Sequence, residues 1–214
     1  MIAVVLPTLD TPDALAGVLA AIPRGHAVYV VDDGSVVPIR AEVRVVRHDA
    51  NRGYGAAQKS GYAAALADGA ERVVMLHGDG QYDVADTLAL ALALEDADAV
   101  LGSRFLANPL VIPGWRRIGN RFLTGLANAR FGTKHTELHT GARAFRAATL
   151  RALPLSTFSD DFLFDQQVIC AMLRARMRVV ERPVRVRYDE TTRSISPFRS
   201  VIYALGCIRE IIRF

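Results

Sequence analysis

The stretch Val73–Tyr82, VVMLHGDGQY, decides how this chain is read. Four apolar residues, Val73 to Leu76, run into a turn that carries His77, Asp79 and Gln81. A buried parallel strand ends in this way when it delivers polar side chains to the carboxyl edge of a sheet. The alternate spacing of His77, Asp79 and Gln81 lets all three face one point. A hard divalent cation that holds a phosphorylated substrate needs only one or two protein carboxylates, because phosphate and water complete its shell. The plain alternative is a polar strand-to-helix turn with Asp79 as a cap.

Outward from that stretch the same pattern repeats. Apolar runs at Ile2–Leu6, Val28–Val31, Val43–Arg47 and Ala99–Leu101 alternate with helical patterns at Asp13–Ile22, Gly53–Ala67 and Ala85–Leu94. Strands alternating with such helices predict βαβ units, an α/β class and a mostly parallel sheet. Past residue 107 the pattern changes. Asn108–Gly114 reads as a loop, Arg116–Phe131 as a helix, Gly141–Phe145 as a strand and Asp161–Arg174 as a helix. Val179-Val180 and Val184–Val186 read as short or edge strands around Pro183. Ser196–Phe214 reads as a final helix, with Ser196 as N-cap and Pro197 at its first position.

With 214 residues, 51% hydrophobic and 22% charged, the chain suits one globular domain with a sizeable core. The expected division is a catalytic domain over 1–195 and an amphipathic helix over 196–214. Cys170 and Cys207 fall in apolar helical patterns, so reduced, buried thiols and a cytoplasmic protein are expected. The opening MIAVVLPTLD has no basic leader, and no run of 18 apolar residues occurs, so neither signal peptide nor spanning helix is expected. Net charge is +4, but residues 171–214 carry ten Arg against four acids. That basic end suits an anionic partner. Of such partners, phosphate and a membrane surface are carried forward, and nucleic acid is not.

Four polar clusters follow successive strands: Pro7-Thr8-Leu9-Asp10, Asp32-Asp33-Gly34-Ser35, His77–Gln81 and Gly102-Ser103-Arg104. In an open parallel sheet, ligands bind outside the carboxyl ends of the strands. Asp32 and Asp33 are paired carboxylates suited to a base or ribose, or a favourable turn. The run NRGYGAAQKSG, 51–61, places small residues where a backbone must approach a ligand, with Arg52 and Lys59 nearby. It matches neither the dinucleotide fingerprint nor a P-loop. Arg104 suits phosphate clamping, as do Arg116, Arg117 and Arg121. Glu137, His139 and Asp165 are candidate general bases. His26, His48 and His135 show no partner pattern.

Taken in order, LPTLD (6–10), VVDDGS (30–35), NRGYGAAQKSGY (51–62), HGDGQY (77–82), GSRF (102–105), HTGARAF (139–145) and ERPVRVRY (181–188) resemble the GT-A-type inverting glycosyltransferases of family 2. Within them, the dolichyl-phosphate mannose synthase-like branch is the most similar. The resemblance implies a GT-A, Rossmann-like, three-layer α/β/α fold and a nucleoside-diphosphate sugar donor. By the same resemblance Pro7 and Asp32 hold base and ribose, and Thr8, Asp10, Asp33, Gly53, Lys59, Gly78 and Arg104 lie in the donor site. It implies Mg²⁺ or Mn²⁺ on Asp79, assisted by Gln81 and His77, with Arg104 and Arg117 adding positive charge. Glu137 or Asp165 would serve as base. The chain departs from the pattern at His77, where an acid is expected, at Asp10-Thr11, where Asn-Glu is usual, and at Glu137, which is offset by Leu138 and His139.

The branch implies a polyprenyl-phosphate acceptor, with Arg185, Arg187, Arg193 and Ser194 as phosphate contacts. The stripe Phe198, Val201, Ile202, Leu205, Ile208 and Ile212 suits packing on the sheet, on a second copy in a homodimer, or on a bilayer. The hypothesis carried forward is a peripheral protein at the inner face of the plasma membrane. Two further alternatives stand: a weak or inactive nucleotide-binding subunit, and a sugar nucleotidyltransferase. The latter should carry a glycine-rich basic loop after its first strand, which LPTLDTPD lacks.

Overall fold

The computed structural model describes residues 1–187 and 197–214. Seven strands form one sheet: β1 Ile2–Thr8, β2 Ala27–Asp32, β3 Arg44–Arg47, β4 Arg72–Met75, β5 Ala99–Ser103, β6 Arg143–Arg146 and β7 Val179–Pro183. Their spatial order is β3-β2-β1-β4-β6-β5-β7. All neighbours are parallel except β6, which runs antiparallel to both β4 and β5. The helices are α1 Pro12–Ala21, α2 Tyr54–Ala67, α3 Val84–Ala89, α4 Arg104–Ala107, α5 Gly114–Phe131, α6 Ala147–Ala152, α7 Leu163–Arg174 and α8 Pro197–Arg213.

Strand residues divide between the two faces by alternation. Ala3, Val5, Val73 and Met75 join Tyr62, Phe164, Val168 and Ile211 in one core. Val4, Leu6, Val74 and Leu76 join Leu15, Val18 and Leu90 in the other. The central strands are buried on both faces, so they read as continuous apolar runs. The result is the expected three-layer α/β/α arrangement, with α2, α5, α7 and α8 on one side and α1 and α3 on the other. Gly61 lets α2 lie close on the sheet, since a Cβ there would stand 2.3 Å from Val5.

Local chemistry sets the helix ends. Asp83 caps α3 by accepting from the Asp86 amide at 3.0 Å. Asp79 is therefore not that helix's cap. Pro12 opens α1. Gly132, at φ 68°, closes α5 in the left-handed region. α8 packs against α5 and α7. Cys170 and Cys207 are free and buried, as expected, and burial pushes the two thiols up to about 11 and about 12. Among the described residues, no helix is long and apolar enough to cross a membrane.

Two segments differ from their sequence expectation. Val184–Val186 does not lengthen the sheet edge, because Val186 leaves it to pair with Tyr82 beyond β4. Arg187 likewise donates to the Gln81 carbonyl at 2.9 Å. The expected Ser196 cap and the phosphate contacts Arg193 and Ser194 lie outside the described residues.

Candidate active site at the sheet edge

β1 sits between β2 and β4, so the crossover from β1 goes one way to β2 and the later chain returns on the other side. That reversal is the switch point at which open sheets bind ligands. The carboxyl ends of β1, β2, β4 and β5 bring Thr8, Asp32, His77 and Ser103 to this edge, with Thr140 and Gly141 arriving from the start of β6. Gly78 fits against β1: a Cβ would lie 3.2 Å from Thr8 and 3.3 Å from the Pro7 carbonyl.

The carboxylates at this edge differ in how fully they are used. Asp32 is fully buried and accepts from the amides of Ser35 (2.9 Å) and Ile39 (3.1 Å) and from Arg47. Burial opposes its charge, but these donors outweigh it and hold the carboxyl below its usual range. Asp33 accepts from the Arg52 and Gly53 amides at 3.0 and 2.9 Å. Its third partner is His48, whose Nδ1 lies 2.6 Å away while Nε2 meets Ser60 at 2.8 Å. His48 is therefore a buried clamp rather than an incidental histidine. Asp10, at φ 52°, bonds through its amide to Ser35 and through its carboxylate to the Val36 amide. Thr8 pairs with Thr11 at 2.8 Å.

Asp79 is the exception. Its Oδ1 accepts from the Gln81 amide at 3.0 Å, and its Oδ2 stands 3.8 Å from His77 Nδ1. Its side chain keeps 29% of its exposure. Burial again opposes the charge, but His77 and the Gln81 amide outweigh it, so the carboxyl titrates below its usual range. The His77 ring is fixed from behind. Tyr54 Oη lies 2.8 Å from Nε2, and the rings of Tyr54 and Tyr82 meet it edge-on. Tyr82 in turn accepts from the Gly141 amide at 2.7 Å, and a Cβ on Gly141 would strike His77 at 2.2 Å. Nε2 thus meets the Tyr54 hydroxyl, and Nδ1 is the ring nitrogen that faces Asp79.

This donor pair suits a divalent ion. Among the described residues no three His, Cys, Asp or Glu stand together as a metal cluster. The protein would thus supply one carboxylate and one imidazole, leaving other positions to phosphate and water. Imidazole makes this donor set softer than one of oxygen alone.

Several expected site residues have other duties. Glu137 is fully buried and accepts from Arg104 N and Nε at 2.7 Å each, from Arg104 Nη2, and from Asn120 at 2.7 Å. A carboxylate so engaged orients Arg104 and is held by it in a buried ion pair. Asp165 is also buried, its Oδ1 held between Gln58 (2.8 Å) and Arg143 (2.7 Å). Gly53 and Gly55 were expected to admit a ligand, yet they admit protein. A Cβ at either would stand 2.4 or 2.5 Å from the carbonyls of Asp160 and Ser159. Lys59 binds that same segment through Phe158 O (2.9 Å) and Asp160 (2.6 Å). Arg117 donates to the Pro109 carbonyl at 3.4 Å.

A cleft of about 810 Å³ borders the site between α1, the 80–85 turn and residues 184–187. Of the expected contacts, Gln81, Arg104, Arg185 and Arg187 line it. The sequence reading missed Arg47, Tyr54, Tyr82 and Arg143. Arg47 and His48 had a signal: they end β3 directly beside Asp32 and Asp33.

Comparison with known proteins agrees with this architecture. An uncharacterized glycosyltransferase of Mycobacterium tuberculosis is 34% identical over 140 residues, 63% of this chain and 61% of that protein. The undecaprenyl-phosphate mannosyltransferase of Micrococcus luteus is 28% identical over 203 residues, 84% of this chain and 81% of that one. Among solved structures, glucosyl-3-phosphoglycerate synthase of M. tuberculosis with Mn²⁺, UDP and phosphoglyceric acid shares the fold. Its TM-score is 0.72 at 15% identity, covering 100% of this chain and 78% of that one. The model of glycosyl transferase family 2 matches residues 3–153, and the chain belongs to that family.

Proposed function

We propose that this protein transfers a sugar, with inversion, from a nucleoside-diphosphate sugar to a polyprenyl phosphate. The observation that carries the reading is Asp79: beside the engaged acids of this edge, it keeps a half-buried carboxylate that His77 and the Gln81 amide hold ionised at the switch point. Asp79 and His77 would hold the divalent ion, Mn²⁺ in preference to Mg²⁺. When bound, such an ion neutralises charge on the leaving diphosphate. Pro7, Thr8 and the Asp32–Ser35 turn would frame the nucleoside. Because Asp32 is saturated by Ser35, Ile39 and Arg47, it shapes that pocket through the backbone it fixes. Arg104, aimed by Glu137, would place positive charge beside the same cleft.

The state of the two candidate bases supports the acceptor class. A neutral alcohol must lose a proton as it attacks, whereas both candidate bases are held in buried ion pairs, Glu137 with Arg104 and Asp165 with Arg143. A phosphate monoester is already an oxyanion and attacks the anomeric carbon without a base. The Micrococcus luteus relative, named for undecaprenyl phosphate, supports that choice. The test is a thermal-shift panel of UDP-, GDP- and dTDP-sugars with Mn²⁺ or Mg²⁺, followed by transfer assays on a prenyl phosphate and its parent prenol. Binding at a hundredfold excess over Kd adds about 2.7 kcal/mol, so the donor identifies itself. Transfer to the prenol and not the phosphate would overturn the acceptor assignment.

A further inference from the structure

Two neighbouring helices turn large apolar side chains away from the core. Trp115, Ile118 and Phe122 on α5, and Val201, Ile202 and Leu205 on α8, are 51–71% exposed. Their spacings of three and four residues put each set on one helix face. The opposite faces, with Leu123 and Ala127 on α5 and Cys207 and Ile211 on α8, fill the core. Single exposed apolar residues are ordinary, but two stripes on helices packed together mark an interaction surface.

The charges on these helices are one-sided. α5 carries Arg116, Arg117, Arg121 and Arg130 and no acid. On α8, Arg209 and Arg213 are exposed while Glu210, its one acid, is buried. Arg116 lies over the Trp115 ring at 5.0 Å, which keeps its charge at the border of the apolar stripe. We propose that the outward faces of α5 and α8 together form an interfacial docking surface for an anionic bilayer. Anionic headgroups complement a rim of arginines around an apolar centre. A second copy meeting this face would set arginine against arginine with no exposed acid on either helix to pair them. The chain from Arg104, at the site, runs through α4 and a short turn at Pro109–Val111 into α5. The surface therefore deepens the reading of a lipid-phosphate acceptor, on which it rests in part: a docked α5 would hold the acceptor's headgroup near the sheet edge.

Trp115 is the chain's single tryptophan, so it reports on the surface directly. The protein is mixed with vesicles of phosphatidylcholine, alone or with one-third phosphatidylglycerol. Anionic vesicles should shift Trp115 emission to the blue and make it quenchable by brominated lipid, and high salt should reverse both. Ile118→Glu/Phe122→Glu and Ile202→Glu/Leu205→Glu should each lower flotation with these vesicles by roughly tenfold. All four positions are exposed, so circular dichroism should be unchanged. Wild type that neither floats nor shifts would overturn the proposal. So would glutamate variants that float normally, or a sedimenting dimer that those variants dissociate. Transfer to a short prenyl phosphate in detergent reads the acceptor assignment alone. Transfer without vesicle binding sinks only the surface, and vesicle binding without transfer sinks only the acceptor.

Discussion

The acids at the sheet edge fall into two groups that began as equals in the sequence. Asp32, Asp33, Glu137 and Asp165 are enclosed and matched by amides, arginines or a histidine. Asp79 has one amide and a distant imidazole. The difference teaches that carboxylates in a binding edge divide labour. Most hold turns and cations in place, and the one left underused is free to meet a ligand. Saturation, more than location, separates the two roles.

The comparison breaks if removing an enclosed acid is mild. Glu137→Ala leaves Arg104 and Asn120 facing an empty, buried site and should cost roughly 3–5 kcal/mol in urea unfolding. A loss under about 1 kcal/mol would show that Glu137 is less committed than its contacts suggest. Asp79→Ala should invert that pattern. Its stability cost should stay below about 1 kcal/mol, while metal-dependent transfer falls by about a hundredfold or more. Surviving activity would remove Asp79 from the metal site.

A third test reads the enclosed group by pH. His139 is walled in, with Nδ1 3.2 Å from the Tyr203 hydroxyl and Nε2 without a partner among the described residues. Burial first, then the charges of Arg143 and Arg104, lower its pKa to about 3. An unfolded histidine titrates near 6.5, so below that pH the unfolded chain takes a proton that the folded chain refuses. The stability from keeping His139 neutral is whole above about 6.5 and is lost as pH falls toward 3. Between pH 7 and 5 the loss should approach about 2 kcal/mol. His139→Gln should flatten that slope in thermal melts at both pH values. Smallest in effect, Tyr54→Phe frees the His77 ring and should weaken Mn²⁺ binding by about tenfold, read by the free-ion signal in electron paramagnetic resonance. Unchanged affinity would make Tyr54 a packing residue only.

The sheet was legible because its central strands are apolar on both faces. Ile2–Leu6, Val28–Val31 and Arg72–Leu76 were found by run length alone, and each occurs within a residue or two. The reversed direction of β6 was not legible, since GARAFR reads the same either way along the sheet. The placement of Asp79 and the paired aspartates at the carboxyl edge was legible, because turn chemistry exposes it. The site was not legible at Glu137 and Asp165, because saturation depends on partners far along the chain. Gln58 and Asp165 are 107 residues apart, and Arg104 and Glu137 are 33 apart. Neither was the outward turn of α8 legible: an amphipathic pattern does not say which side has company, and the packed side proved to be the one through Cys207 and Ile211.

The reversed strand β6 also governs how the chain must be made. It fills the gap between β4 and β5, yet it lies about seventy residues after β4. Until it is synthesised, the parallel half β3-β2-β1-β4 ends in the bare edge of Val73–Met75, which templates pairing with other chains. Long-range pairing of this kind is slow, so closing that seam is expected to limit folding. A chain stopped before residue 143 would carry Pro7, Thr8 and the Asp32–Ser35 turn and still be prone to aggregate.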